Sequence, residues 1–243
     1  MEKPSILFTG VFGAFLLSTT LMVLLPHSQL SGLQPSVGDW DGSTPNPADV
    51  YPVKMEGGEG TRLGQRAYME HGCFYCHSQQ VRDFQYGPDM ERGWGSRRTV
   101  ARDYLYEEVP LLGSTRLGPD FANYGWLGEG KDAAGNPVKV HMWRNEPTDD
   151  PKKPLVRNEA WIYQHLFNPR ILNSDSNCPP MPHLFELADT GAAPSPNAVG
   201  TIGNRQIIPI ADARYLAAYL LSLNRTHDLN EAPTMIKPKE AKK

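Results

Sequence analysis

The motif that most restricts the fold of this chain is Cys-x-x-Cys-His, which lies in the stretch EHGCFYCHSQ from Glu70 to Gln79. It holds two of the three cysteines, with His77 directly after the second. Three kinds of site use such a pair: a structural zinc site, a thioredoxin-like dithiol and covalently attached haem c. Structural zinc needs four protein ligands, whereas the remaining cysteine, Cys178, stands apart from any second Cys-x-x-Cys or His-x-x-x-His.

The same motif meets the requirements of covalent haem attachment. Two thiols at this spacing reach two vinyl groups on one edge of the ring, and the adjacent imidazole ligates the iron from one face. A redox dithiol is expected near a β-α-β pattern, which the flanking sequence lacks. The motif therefore predicts one covalent haem c, with Cys73 and Cys76 as thioether anchors and His77 as the proximal iron ligand.

An uncharged segment near the N-terminus predicts a membrane anchor. Residues 6–25, ILFTGVFGAFLLSTTLMVLL, are long enough to cross a bilayer as a helix. A cleaved signal peptide usually has a shorter apolar region that ends in small residues, whereas Pro26 and His27 follow here. Lys3 precedes the span and Lys54 is the next basic residue, which predicts a cytoplasmic N-terminus and a periplasmic remainder.

Composition limits the size of the core and the kind of partner. The 22 prolines and 22 glycines predict a modest core with long loops. The net charge is −3, and the only basic block is the PKEAKK tail, which we interpret as a solvated end. This balance argues against a nucleic-acid partner.

The sequence has two amphipathic segments, one leading into the motif and one near the C-terminus. One is predicted in TRLGQRAYMEHGC, from Thr61, and the other in ADARYLAAYLLSL, which ends at Leu223. With the haem motif they resemble the crossing terminal helices of a class I cytochrome c, where Gly64 would allow close approach. The predicted fold is mainly α, a single transmembrane helix followed by a class I cytochrome c domain with long loops. The expected boundaries are 1–30 for the anchor, 31–60 for a periplasmic linker, 61–225 for the cytochrome domain and 226–243 for the tail.

The second axial position decides between electron transfer and ligand chemistry. Met181, in the proline-stiffened loop SNCPPMPHLF, is the best-placed methionine, and a thioether ligand raises the reduction potential. A Cys178 thiolate would lower the potential, and this cysteine fits better as a small buried hydrophobe. His183 would give a bis-histidine iron and ranks below Met181.

Four segments together resemble a known family, the mono-haem, membrane-anchored cytochrome c subunit (subunit II) of cbb3-type cytochrome c oxidases. They are CHSQQVR, GSTRLGPDF from Gly113 to Phe121, WIYQHLFNPR from Trp161 to Arg170, and SNCPPMPHLF. The resemblance implies that Pro119 packs on the proximal haem face and that a nearby carbonyl accepts the Nδ1 proton of His77. It also matches Ser114 to a serine at the contact with the catalytic subunit, near its calcium site; a plain turn hydroxyl is the alternative.

The chain departs from this family in two places. The family has methionine where Cys178 stands and commonly an aromatic residue where Met181 stands. Residues 126–157 are longer than the family's connection, and we interpret them as a turn followed by a charged, proline-rich, solvated loop. Asn168 and Pro169 are expected to end a helix that begins near Asn158.

The resemblance implies an electron-transfer subunit with no bond-making chemistry of its own. It would take electrons from a soluble cytochrome c or a sister haem subunit and pass them to a catalytic haem-copper subunit. The location implied is the bacterial inner membrane, single-pass, with the haem domain in the periplasm. The alternatives are the cytochrome subunit of a nitric oxide reductase, a free membrane-tethered carrier, and a haem sensor or peroxidase with an open sixth position.

Overall fold

The structure, a computed structural model, divides the chain into two compact units. It describes residues 4–37, 49–53, 58–131, 137–141, 158–191 and 193–232, with no side chains over 127–141. The first unit consists of Met1–Pro52 and Ala101–Glu107, and the second of Val53–Val100 and Glu108–Lys243. The second unit holds the haem motif.

The N-terminal unit begins with an apolar helix of 27 residues, Pro4–Leu30, which is long and apolar enough to cross a membrane. It consists of α1 (Pro4–Thr19), a π-helical segment (Thr20–Leu24) and α2 (Leu25–Leu30). Pro26 lacks a backbone N–H and cannot complete the regular ladder, and the wider π-helical turn directly precedes it. This single helix fits a single-pass membrane anchor.

The rest of this unit is a small strand pair. β1 (Ser36–Val37) pairs antiparallel with β2 (Val50–Tyr51). The Tyr51 hydroxyl donates to Asp103 Oδ1 at 2.6 Å, in the 3-10 helix Ala101–Tyr104. Within the predicted linker, residues 38–48 and 54–57 lie outside the described residues.

Two crossing helices form the core of the second unit. α3 (Gly58–Glu70) packs on α6 (Ala211–Ser222), and a Cβ on Gly64 would lie 2.6 Å from the Tyr219 Cβ. Real Cβ contacts are not that short, so glycine is required for the helices to approach this closely. The predicted helices and the role of Gly64 are confirmed. The side chains that α6 buries are Ala213, Leu216, Ala217, Tyr219 and Leu220.

A third helix, α5 (Glu159–Phe167), has the predicted ends. The Asn158 side chain caps it by accepting from the Trp161 N–H at 3.0 Å. Asn168 is extended, and Pro169 begins a short 3-10 helix. The chain then runs to a second 3-10 helix, Pro182–Leu184.

Two β elements were not predicted. Within residues 126–157, β3 (Leu127–Lys131) pairs antiparallel with β4 (Pro137–His141). The expectation of a turn followed by a loop is therefore wrong for residues 127–131 and 137–141, because backbone pairing makes them strands. Residues 132–136 and 142–157 lie outside the described residues. The second element is a three-stranded antiparallel sheet in the order β5-β7-β6, made of Phe185–Asp189, Arg205–Pro209 and Gly200–Ile202.

The chain after α6 packs against earlier parts of the second unit. The buried Arg225 donates through Nη1 to the Gln79 carbonyl at 2.7 Å. The Arg97 guanidinium donates to the His227 carbonyl at 2.6 Å, and Leu229 is buried. Residues 226–232 of the predicted tail therefore pack against the domain, while 233–243, including PKEAKK, lie outside the described residues.

Candidate haem-binding site

A single helical turn carries the two cysteines. After α3 the chain reverses at Gly72, whose φ of +72° suits glycine, and enters α4 (Cys73–Cys76). The His77 N–H closes this turn on the Cys73 carbonyl at 3.0 Å. Positions i and i+3 of a helical turn lie on one face, so both thiols are presented to the same side.

The imidazole of His77 is oriented by the chain itself. Its Nδ1 lies 2.9 Å from the Pro119 carbonyl oxygen. Burial lowers the pKa of His77 to about 4, so the ring is neutral at pH 7. A neutral ring that donates Nδ1–H to this carbonyl keeps its lone pair on Nε2, the atom that an iron ligand needs. The acceptor that the family resemblance implied is present, and it belongs to Pro119.

A loop packed along the turn holds it in place. We call Gly113–Phe121 the proximal loop. A Cβ on Gly118 would lie 2.6 Å from His77 Nδ1, so the absence of a side chain there lets the loop pass directly against the imidazole. Three of its N–H groups donate to carbonyls of the turn: Ser114 to Phe74 at 3.0 Å, Thr115 to Tyr75 at 3.1 Å and Gly118 to Cys76 at 2.9 Å.

Sequence reasoning missed Asp120, whose buried carboxylate organises the next step of the chain. It accepts from the Ser78 hydroxyl at 2.7 Å, the Gln80 N–H at 2.7 Å and the Ala122 N–H at 2.8 Å. These bonds fix the chain on both sides of the His77–Pro119 contact. The signal that could have found it is its place directly after Pro119 in GPDF.

A second buried carboxylate, Asp89, is also held by the proximal loop. It pairs with Arg82 Nη2 at 3.0 Å and with Arg116 Nη1 at 2.5 Å. Burial raises the pKa of Asp89, but the hydrogen bonds from Arg82 and Arg116 outweigh this effect and hold it below its ordinary value. Asp89 is thus ionised at neutral pH.

Met181 lies at the edge of the same core as the attachment turn. Its N–H donates to the Leu166 carbonyl at 2.8 Å, which ties it to the end of α5. Its side chain is partly buried and packs on the core that Cys73 and Phe121 also border. Met69 borders that core as well, whereas Met90 is buried in a separate cluster.

The two rival distal residues have other surroundings. Burial, followed by the proximity of Cys76, raises the pKa of the Cys178 thiol, which favours its protonated form. In turn, burial and then Cys178 raise the pKa of Cys73 to about 12. The exposed His183 faces His71, with its Nε2 3.4 Å from His71 Nδ1.

The family comparison agrees with this geometry. Residues 59–147 match FixO, described as the mono-haem subunit of cytochrome c oxidase. The predicted resemblance and the predicted fold class, mainly α with an N-terminal apolar helix and a cytochrome c domain, are thereby confirmed. No curated protein matches the chain.

The FixO region holds most of the predicted haem-binding residues. Cys73, Cys76, His77 and Pro119 fall within it, and Met181 lies outside. The residues present fit the haem that a mono-haem subunit implies: two thiols on one side of a helical turn, a neutral imidazole with a free Nε2, and Gly118 leaving room beside that ring.

Proposed function

We propose that this chain is the electron-transfer subunit of a cbb3-type oxidase, carrying one covalent haem c. Cys73 and Cys76 form the thioethers, His77 is the proximal ligand and Met181 the distal ligand. The observation that carries the proposal is the hydrogen bond from His77 Nδ1 to the Pro119 carbonyl, within the region that matches FixO. A histidine fixed in this way serves iron coordination, because its second nitrogen is neutral and oriented.

The residues would set the properties of the site, while the bound haem supplies a one-electron change of iron valence. The Pro119 carbonyl increases the basicity of His77 and fixes the orientation of its ring. A thioether from Met181 would favour reduced iron and fill the sixth position. The apolar core around Cys73 and Phe121 lowers the local dielectric, which also affects the potential.

The proposed setting is the bacterial inner membrane. Pro4–Leu30 would anchor the chain in lipid, with the haem domain in the periplasm. Electrons would come from a soluble cytochrome c or a sister haem subunit and pass to a catalytic haem-copper subunit. Ser114 would lie on the contact with that subunit, as the family resemblance implies; its N–H donates to the Phe74 carbonyl of the attachment turn.

The test is oxygen uptake by the complex that copurifies in mild detergent with a C-terminally tagged chain, driven by reduced cytochrome c. We expect cyanide-sensitive uptake from the wild type and none from the Cys73→Ala, Cys76→Ala double variant, with Cys178→Ala as the matched cysteine control. Consumption of nitric oxide would replace the oxidase with a nitric oxide reductase. A chain that purifies alone and transfers electrons would be a tethered carrier, and binding of carbon monoxide by the reduced haem would indicate an open sixth position.

A further inference from the structure

Three elements of the haem unit bring imidazole and carboxylate groups together beside the attachment turn. His71 follows α3, His183 lies in the 3-10 helix Pro182–Leu184, and Asp212 is in the first turn of α6. His183 Nε2 lies 3.4 Å from His71 Nδ1, and Asp212 Oδ2 lies 3.5 Å from His71 Nε2. We call these three residues the His71 cluster; none of them has a role in the proposed haem site.

The arrangement favours one tautomer of His71. Its Nε2 is buried, has no hydrogen-bond partner among the described residues, and faces the Asp212 carboxylate. A proton on Nε2 is favoured by that negative charge, so the lone pair of a neutral ring is then on Nδ1. A histidine that presents one nitrogen to a carboxylate and a lone pair on the other is the usual state of a metal-bound imidazole.

The separation of the two histidines also suits a shared ion. Zinc–nitrogen bonds of about 2.0–2.1 Å at a tetrahedral angle place two ligand nitrogens roughly 3.3–3.4 Å apart. His71 Nδ1 and His183 Nε2 are separated by 3.4 Å, longer than the usual N–H···N bond of about 3 Å. His183 is exposed, which leaves room for water at the remaining coordination positions.

We propose that His71 Nδ1 and His183 Nε2 form a binding site for a divalent transition-metal ion of the zinc type, with Asp212 orienting His71. Over the described residues, no set of three or more His, Cys, Asp or Glu side chains surrounds one point, so water completes the coordination. The ion links the end of α3 to the loop that follows Met181. Binding therefore stabilises the segment that carries the distal methionine against the helix that precedes the haem motif.

The test uses the full-length, haem-loaded chain in detergent, titrated with Zn²⁺. Zinc is redox-inert, so the ion leaves the haem valence unchanged. We expect one equivalent to bind in isothermal titration and to raise the temperature at which the haem absorbance reports unfolding. His71→Asn and His183→Asn abolish both effects, and Asp212→Asn weakens binding about 10-fold or more. The matched control is His165→Asn, since His165 stacks on Trp161 with ring centroids 5.1 Å apart and lies outside the cluster.

Three outcomes would overturn the site. The wild type could bind no Zn²⁺ below about millimolar concentration, which is too weak for two oriented imidazoles. Binding could persist unchanged in His183→Asn or His71→Asn. A changed haem spectrum in His183→Asn would assign that imidazole to the iron instead. If His183→Asn gives no folded chain, His71→Asn and Asp212→Asn decide the question, because neither lies in the distal loop.

Discussion

The Cys73–Ser78 segment and the segment around Met181, which we propose as the proximal and distal sides of a haem site, are held to different extents. On the proximal side, several N–H groups of Gly113–Phe121 bond to the Cys73–Ser78 segment, and buried carboxylates fix the neighbouring backbone. On the distal side, Met181 is tied to Leu166, and Leu184 accepts from the Ile210 N–H at 3.0 Å. Backbone bonds hold both segments, but the proximal one has more of them and buried carboxylates besides, so a ligand in the loop around Met181 has more freedom to shift.

The largest expected effect distinguishes Cys73 and Cys76 from Cys178. Replacing Cys73 and Cys76 with alanine removes both thioether bonds, so the chain carries no haem through a denaturing gel stained for haem peroxidase activity. Cys178→Ala keeps the stain, because that thiol forms no bond to the ring. Covalent haem in the double variant would show that Cys178 can serve as an anchor and would remove the distinction.

The next effect tests which distal residue reaches the iron. Met181→Leu is expected to lower the midpoint potential by about 0.1 V or more and to remove the methionine–iron charge-transfer band. Cys178→Ala should leave both unchanged. The measurement is a spectroscopic redox titration of the purified full chain. If instead Cys178→Ala changed the midpoint potential and Met181→Leu left it unchanged, Cys178 would be the distal ligand. The ligand would then stand at the position where the family has methionine.

Gly118, which lies beside His77, and Gly200, in β6, should differ in how well they tolerate replacement by alanine. A Cβ on Gly118 would push into His77, so Gly118→Ala should destabilise the haem domain by about 1–3 kcal/mol. Gly200→Ala, in β6, meets only the Ile207 Cδ1 at 3.8 Å and should cost nothing measurable. Denaturant unfolding followed by haem absorbance checks both variants. If Gly118→Ala lost no more stability than Gly200→Ala, the proximal loop would be able to move away from the imidazole.

The smallest effect concerns carboxylates and pH. Asp89 has its pKa lowered by two arginines, so its ionised form stabilises the fold above the ordinary aspartate pKa of about 3.9, and this stability is lost as the pH falls through the lowered folded value. Asp89→Asn should therefore cost about 1–2 kcal/mol at pH 7, discounted because both arginines are partly exposed.

That cost should begin to shrink as the pH falls below about 3.9, where the carboxylate of the unfolded chain becomes protonated, and should approach zero only below the lowered pKa of Asp89 in the folded chain. The control is Asp189→Asn in β5, where the side chain is 91% exposed and pairs loosely with Arg205 at 3.6 Å. Unfolding curves at several pH values make the comparison. If Asp89→Asn lost the same stability at every pH, the contribution of Asp89 would come from the shape of its side chain and not from its charge.

Local signals were sufficient to predict the helices. Amphipathic spacing gave α3 and α6, Asn158 and Pro169 gave the ends of α5, and Gly64 was the expected crossing point. Each of these depends on neighbours in sequence or on a single close approach. The Pro119 acceptor came from the family resemblance, because residues 77 and 119 are related only through the fold.

The sheets were missed because their strands are short and carry weak sequence patterns, and because β5 pairs with a strand that is not next to it in the chain. β5 and β7 are separated by the stretch that contains β6, and neither has a strong alternation of apolar and polar residues. One usable signal was present: Gly203 and Asn204 form a two-residue turn between β6 and β7, with a φ of +62° at the glycine. Asp89 and Asp120 were missed since the arginines and N–H groups that hold them lie elsewhere in the chain.

The crossing of α3 and α6 joins an early part of the growing chain to a late one. The cysteines stand near the start of the domain, whereas α6 and Arg225, which covers Gln79, are synthesised about 140 residues later. Until then α3 lacks the helix that it crosses. Under the proposed function, a haem joined to Cys73 and Cys76 at that stage would be attached before α6 can pack on α3.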